Sequence, residues 1–126
     1  GGNPVTCTAA SATIRVIEEN NLVENARLMG SRLREGLNGL KEKYPVIGDV
    51  RGMGLMQGME LVGEKKVPDA ESAKRVMELT KRNGLLVGKG GTYGNVLRVA
   101  PALNVTKDQI DHALSVLDQS FSQLGQ

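Results

Sequence analysis

The chain has 126 residues, 40% of them hydrophobic, 24% charged and only 2% aromatic, and its net charge is +2. This length suits one domain with a core built from Leu, Val, Ile, Ala and Met. The basic residues are mixed with acidic ones and few rings are present for base stacking, which argues against a nucleic-acid partner. No apolar run approaches the roughly 20 residues of a membrane span. We therefore expect neither nucleic acid nor membrane as a partner.

The first residues predict a helix that packs closely against a neighbour. Asn3 supplies an N-cap side chain and Pro4 suits the first helical position, so a helix to about Asn20 is expected. The small residues 7–12 allow another element to approach, which favours packing over nucleophilic chemistry for Cys7. Because Cys7 is the only cysteine, it forms no internal disulfide. A single thiol suits a reducing compartment, and we expect a cytoplasmic protein.

A longer amphipathic helix is predicted next. Asn21 and Glu24 have the spacing of a capping box, and Pro45 ends the helix. Its apolar residues recur at helical spacing: Ala26, Met29, Leu33, Leu37 and Leu40. This periodicity predicts one buried stripe along the helix.

Two strands and a third helix follow. Residues 46–50 predict a strand, residues 51–54 a turn or bulge, and residues 55–62 a second strand. In the second strand one face is expected to carry Leu55, Gln57, Met59 and Leu61. A helix is predicted after Asp69 and ends at Asn83-Gly84, since glycine accepts the positive φ of a C′ position.

The last third predicts two more strands and a final helix. Residues 85–87 are expected as a short buried strand, residues 88–94 as a flexible glycine loop, and residues 96–99 as another strand. Thr106 and Gln109 form a capping box that opens the last helix. The order α-α-β-β-α-β-β-α predicts a small sheet covered by helices, an α/β domain of the α+β kind.

Few residues are candidates for chemistry. The glycine loop lacks the spacing of a phosphate-binding loop and leads into a strand, so a mobile hairpin or flap is favoured. His112 lies off the apolar stripe of the last helix, as a solvated histidine would, and no Cys, His or acid cluster has metal-ligand spacing.

Arg98 stands in an otherwise apolar strand, and a buried guanidinium group needs an acidic partner. A substrate or an internal ion pair could supply that partner, or the side chain could face outward into solvent. Arg51 is a second candidate.

Four segments of the chain resemble class III, fold-type I aminotransferases. Gly-Gly-Asn-Pro-Val-Thr-Cys at residues 1–7 resembles the start of the helix that connects the large and small domains of that family. Residues 46–56 resemble its strand–Arg-Gly-x-Gly–strand signature, residues 84–87 its helix-end and strand segment, and residues 94–103 its carboxylate-binding strand. The order and spacing agree over about residues 1–122, which makes the four segments together more specific than any one.

The resemblance implies a three- to four-stranded small domain with helices on one side. It implies residues 1–20 as an interdomain connecting helix and residues 21–126 as a C-terminal small domain. The resemblance implies a large domain upstream that would bind pyridoxal phosphate, and the absence of an initiating Met suggests a chain cut from something longer. The whole enzyme would be a homodimer that moves an amino group from an amine or amino acid to an oxo-acid.

The resemblance also implies roles for three residues. Arg98 matches the arginine that grips a substrate carboxylate, while Gly1 and Gly2 belong to a segment near the cofactor phosphate of the partner subunit. The Schiff-base lysine of the family lies upstream, so this chain alone is expected to be inactive. Two alternatives stay open: a free-standing α/β domain that binds an acidic ligand through Arg98, and an assembly module whose first helix packs on a partner.

Overall fold

The computed structural model describes residues 1–126 and contains four helices and four strands. The helices are α1 (Pro4–Glu19), α2 (Leu22–Lys43), α3 (Ala70–Arg82) and α4 (Lys107–Leu124). The strands are β1 (Ile47–Met53), β2 (Met56–Leu61), β3 (Gly88–Gly90) and β4 (Val96–Val99), with a short 3-10 turn at Glu64–Lys66. The predicted order of elements and the α+β class are confirmed. None of the helices has the length and apolar character that crossing a membrane requires.

The four strands form one antiparallel sheet in the order β1-β2-β4-β3. Helices α2, α3 and α4 cover one face of it, here called the covered face. The alternation predicted for β2 is confirmed because Gln57, Met59 and Leu61 are buried there. The core joins residues of the sheet and the three helices, among them Leu33, Leu37, Val76, Leu97, Ile110, Leu117 and Phe121. The other face, here called the open face, has no helix against it.

Three of the four predicted helix starts are confirmed by side-chain caps. At α3 the Ser72 amide donates to Asp69 Oδ1 at 2.9 Å. The Val5 amide donates to Asn3 Oδ1 at 2.8 Å, and Pro4 occupies the first helical position. At α4 the Gln109 amide donates to Thr106 Oγ1 at 3.3 Å, and the Thr106 amide donates to Gln109 Oε1 at 3.0 Å. These bonds satisfy amides that have no partner within the helix.

The junction between α1 and α2 differs from the prediction. Asn21 has φ 51°, in the left-handed region, and its side chain caps no amide. A capping side chain requires an extended backbone at that position, so the predicted capping box is wrong. Glu24 instead binds Arg27, with Oε1 and Nη2 2.6 Å apart. Helix α1 has no buried residue, and Cys7 is exposed, so the predicted close packing is not made within this chain.

The first hairpin turn is tighter than the prediction. Residues 51–53 belong to β1, and Met53 pairs with Met56 across a two-residue turn. Gly54 takes φ 52° in that turn, a conformation that glycine adopts without a steric penalty. Leu55 then turns back toward the core, where it is buried.

The buried strand predicted at residues 85–87 is wrong. After α3 the Leu85 amide donates to Thr80 O at 2.8 Å, which extends the helix end instead of pairing with a strand. The chain joins the sheet only at Gly88–Gly90, and Leu86 is 83% exposed. Leu85 and Val87 still pack against the core, and their hydrophobicity reflects this packing.

Candidate functional site

A row of four residues, one from each strand, crosses the open face of the sheet. Arg51 pairs with Gly58, Gly58 with Arg98, and Arg98 with Gly88. Because residues directly opposite in adjacent strands point to the same face, the two arginines share this face with a glycine between them. We call these four residues the arginine row.

Arg98 has no acidic partner. It is exposed, and it makes no ion pair within the chain. A Cβ placed on Gly88 would lie 3.2 Å from both Nε and Nη2 of Arg98. The guanidinium group therefore lies over the bare backbone of Gly88, on the β3 side of the row. The interpretation of Arg98 as one half of an internal ion pair is wrong, and its donors face outward.

Arg51 is engaged by two carboxylates. Its Nη1 donates to Glu60 Oε2 at 2.6 Å and to Asp49 Oδ2 at 2.9 Å. These hydrogen bonds raise the pKa of Arg51, the bond to Glu60 most, and the bond to Arg51 lowers the pKa of Asp49. Arg51, the second sequence candidate, is therefore already neutralised, whereas Arg98 is not.

The glycine segment next to Arg98 is shorter than predicted and is tied to the sheet. Its first three residues form β3, which leaves residues 91–95 as the loop. Asn95 is buried. Its side-chain Nδ2 donates to Leu61 O at 2.8 Å, and its backbone carbonyl accepts from the Leu61 amide at 2.7 Å. The Tyr93 side chain is 69% exposed at the loop tip. Asn95 thus anchors the loop where it enters β4, the strand that carries Arg98.

A polar network under the hairpin turn was missed by the sequence analysis. Arg34 lies off the apolar stripe of α2, yet its Nη1 donates to Gly52 O at 3.1 Å and to Gln57 Oε1 at 3.0 Å. Gln57 Nε2 in turn donates to Gly54 O at 2.8 Å. The signal in the sequence was a glutamine at an inward position of an alternating strand, since a buried amide needs partners. The network holds the turn against α2.

The remaining candidate residues lie apart from the arginine row. His112 is exposed, as predicted, and Gly1 and Gly2 are exposed with no atom within 4 Å of a Cβ placed on either. All the lysines are exposed: Lys41, Lys43, Lys65, Lys66, Lys74, Lys81, Lys89 and Lys107. A catalytic lysine amine is activated by desolvation, so none of these positions fits that role.

The geometry of the open face suits recognition of a carboxylate. A guanidinium group presents a planar fork of donors that matches two carboxylate oxygens. Gly58 and Gly88 flank Arg98 without side chains of their own. The Arg98 guanidinium uses the space over Gly88, and Cγ1 of Val96 lies 3.2 Å from the position of a Cβ on Gly58. Exposed apolar side chains, Met56 at 66% and Met53 at 87%, lie at the far end of the β1–β2 hairpin on this face.

Solved transaminase structures share this fold. An aminotransferase from Bacillus anthracis superposes with a TM-score of 0.91 at 35% identity, over 98% of this chain and 29% of that one. An acetylornithine aminotransferase from Elizabethkingia anophelis gives a TM-score of 0.87 at 32% identity, over 98% of this chain and 31% of that one. The chain therefore has the fold of one domain of a transaminase.

The family follows from the sequence comparisons. The class-III aminotransferase family model matches residues 1–121. The chain is 47% identical to alanine–glyoxylate aminotransferase 2 homolog 2 of Arabidopsis thaliana, over 98% of the chain and 26% of that protein. It is 37% identical to a 4-aminobutyrate aminotransferase of Escherichia coli, over 99% of the chain and 30% of that protein. The chain belongs to the class-III aminotransferase family and spans less than a third of these relatives.

Proposed function

We propose that this chain is the C-terminal small domain of a pyridoxal-phosphate-dependent aminotransferase that moves an amino group from an amine or amino acid to an oxo-acid. Family membership supports the reaction class. The role proposed for this domain rests on one observation: the Arg98 guanidinium is unpaired and exposed between two glycines on the open face. We assign Arg98 to the substrate carboxylate.

The chemistry of Arg98 in this role is positioning. Two parallel hydrogen bonds to a carboxylate fix both the distance and the orientation of the substrate, which a lysine ammonium would not do. Holding the amine or oxo carbon in one orientation lowers the entropic part of the barrier. Arg98 on the open face would also help to close the site when the rest of the enzyme meets that face.

The cofactor is not held by the lysines of this chain. Pyridoxal phosphate supplies an electron sink for carbanion chemistry when it is bound, and it requires a Schiff-base lysine. Because all eight lysines here are exposed, we place that lysine in the part of the enzyme upstream, and we expect this chain alone to be inactive. Gly1 and Gly2 have open backbone on all sides, which supports a position beside the cofactor phosphate of a partner subunit.

The domain organisation and partners follow from the same proposal. Helix α1, which has no buried residue, supports the assignment of residues 1–20 as a connecting helix, with residues 21–126 as the small domain. The large domain and a second subunit of a homodimer are the proposed partners, and small amino acids and oxo-acids the substrates. A cytoplasmic location remains a prediction from the single cysteine; the Arabidopsis relative is named a mitochondrial protein.

The test is an Arg98→Gln variant of the full-length enzyme. Loss of a bidentate, charged hydrogen-bond pair should lower kcat/KM for carboxylate-bearing donors by about 10- to 100-fold. Activity toward an amine without a carboxylate should change little, since that substrate makes no contact with Arg98. The matched control is Arg75→Gln, which removes an exposed arginine without an ion pair on α3. Equal kinetics of Arg98→Gln and the control with both substrates would refute the assignment.

A further inference from the structure

Glu60 lies on the open face beside the arginine row. It pairs with Asp49 on one side and with Val96 on the other, one row away from Arg51, Gly58 and Arg98. The backbones of two such diagonal residues are about 7–8 Å apart, a distance that long side chains can span. Glu60 is thus a diagonal neighbour of both arginines, Arg51 in β1 and Arg98 in β4.

Only one of the two arginines holds Glu60. Glu60 Oε2 accepts from Arg51 Nη1 at 2.6 Å, and the side chain of Glu60 is 31% exposed. Arg98 leans the opposite way, over Gly88 in β3. Arg51 is therefore paired with Glu60 in addition to Asp49, whereas Arg98 has no carboxylate partner.

We propose that Glu60 is an internal competitor for Arg98 and that Arg51, by binding Glu60, keeps Arg98 free for the substrate carboxylate. This inference rests on the function proposed above. Arg51 is then a positioning residue that acts through Glu60. The specificity of the site for acids depends on a residue two strands away from the arginine that binds them.

The physical reason is the proximity of Glu60. A carboxylate tethered within side-chain reach of Arg98 competes at an effective concentration on the order of millimolar. Without Arg51, Glu60 would still have Arg98 as a diagonal neighbour on this face. Gly58 between them has no side chain of its own, and the only side-chain atom that comes near is Cγ1 of Val96, 3.2 Å from the position of a Cβ on Gly58. The paired Arg51 removes that competition and leaves the guanidinium of Arg98 with its donors unused.

The experiment compares Arg51→Gln, Glu60→Gln and the double variant in the full-length enzyme, with KM and kcat measured for a carboxylate-bearing donor and for an amine without a carboxylate. Arg51→Gln should raise KM for the carboxylate donor roughly fivefold, with kcat and the plain amine unaffected. Adding Glu60→Gln should restore the KM. Arg51→Lys, which keeps a cation for Glu60, should retain most of the original KM.

A matched control and a structural readout complete the test. Lys41→Gln removes a positive charge from the same cluster, 3.9 Å from Asp49, without touching Glu60, and should leave KM unchanged. In a crystal structure of Arg51→Gln, the Glu60 carboxylate should lie about 3 Å from the Arg98 guanidinium. Glu60 far from Arg98 in that structure, or no rescue by the double variant, would overturn the inference. If Arg98→Gln itself has no effect on acids, the proposed function fails instead, and the structural readout still decides the pairing.

Discussion

The two faces of the sheet are built from the same four strands but carry different kinds of residues. The covered face buries Met59, Leu61 and Leu97 completely under three helices. The open face carries glycines, two methionines and charged residues, and leaves Arg98 unpaired. Strand alternation assigns every second residue to each face, so core residues alternate along one strand with exposed residues, among them the arginine proposed to bind a carboxylate. A substitution should therefore be costly on one face and cheap on the other.

Two methionines of β2 test the difference between the two faces most directly, and the largest change in stability is expected here. Met59 is 0% exposed on the covered face, whereas Met56 is 66% exposed on the open face. Met59→Ala should lower the free energy of unfolding by about 2–5 kcal/mol, because it leaves a cavity as well as losing burial. Met56→Ala should change it by about 0.5 kcal/mol or less. Urea denaturation of both variants measures the difference, and equal losses would contradict the two-face description.

Two glycines of α2 test how closely this helix packs against the β1–β2 hairpin turn. The expected change in stability is the second largest. A Cβ on Gly30 would lie 2.6 Å from Gly54 Cα and overlap the Gly54 carbonyl, whereas a Cβ on Gly39 would meet no atom within 4 Å. Gly30→Ala should therefore destabilise the protein by about 1–3 kcal/mol through overpacking. Gly39→Ala should stabilise it by up to about 1 kcal/mol, since alanine is the better helix former. Thermal unfolding of both distinguishes the signs; two stabilised variants would show that the hairpin turn does not rest on α2.

The smallest effect is expected where α2 and α4 meet at the surface. Asp118 accepts hydrogen bonds from Lys43 Nζ at 2.7 Å and from Tyr44 Oη at 2.6 Å, and these bonds, the one from Lys43 first, lower the pKa of Asp118. A lowered pKa in the folded state adds stability above the ordinary value of about 3.9, and this stability is lost as the pH falls through the folded value.

Asp118→Asn should accordingly cost up to about 1 kcal/mol at pH 7, since the pair is largely exposed. The melting temperatures of the variant and the original protein should converge as the pH is lowered below about 4. Glu42→Gln, an exposed acid of α2 without an ion pair, serves as the control. A gap in melting temperature that persists at low pH would mean that Asp118 acts through something other than its charge.

Most of the fold could be predicted from the sequence because its signals are local. Helix caps at Asn3 and Thr106, the periodicity of α2 and the alternation of β2 all depend on neighbouring residues. The failures involve longer-range choices. The hydrophobic residues 85–87 pack against the core without pairing with a strand, and Asn21 adopts a left-handed backbone set by the meeting of two helices. Hydrophobicity alone does not separate these cases.

The site could be predicted only in part, for a similar reason. The sequence singled out Arg98 and Arg51 as charges in apolar surroundings, but not which of them has a partner. That distinction depends largely on strand register, which adds Glu60 of β2 to the local Asp49–Arg51 pair and places Gly88 beside Arg98. A shift of one residue would reverse the faces, and no local pattern in the sequence specifies the pairing of β2 with β4.

Both edges of the sheet are protected against pairing with other strands. One edge strand, β3, has only three residues, and the other, β1, has a bulge at Gly48 and the charged residues Asp49 and Arg51. Short strands, bulges and charges are features that keep natural sheets from aggregating edge to edge. The ion pairs of Arg51 with Asp49 and Glu60 therefore also discourage the domain from forming intermolecular β-sheet.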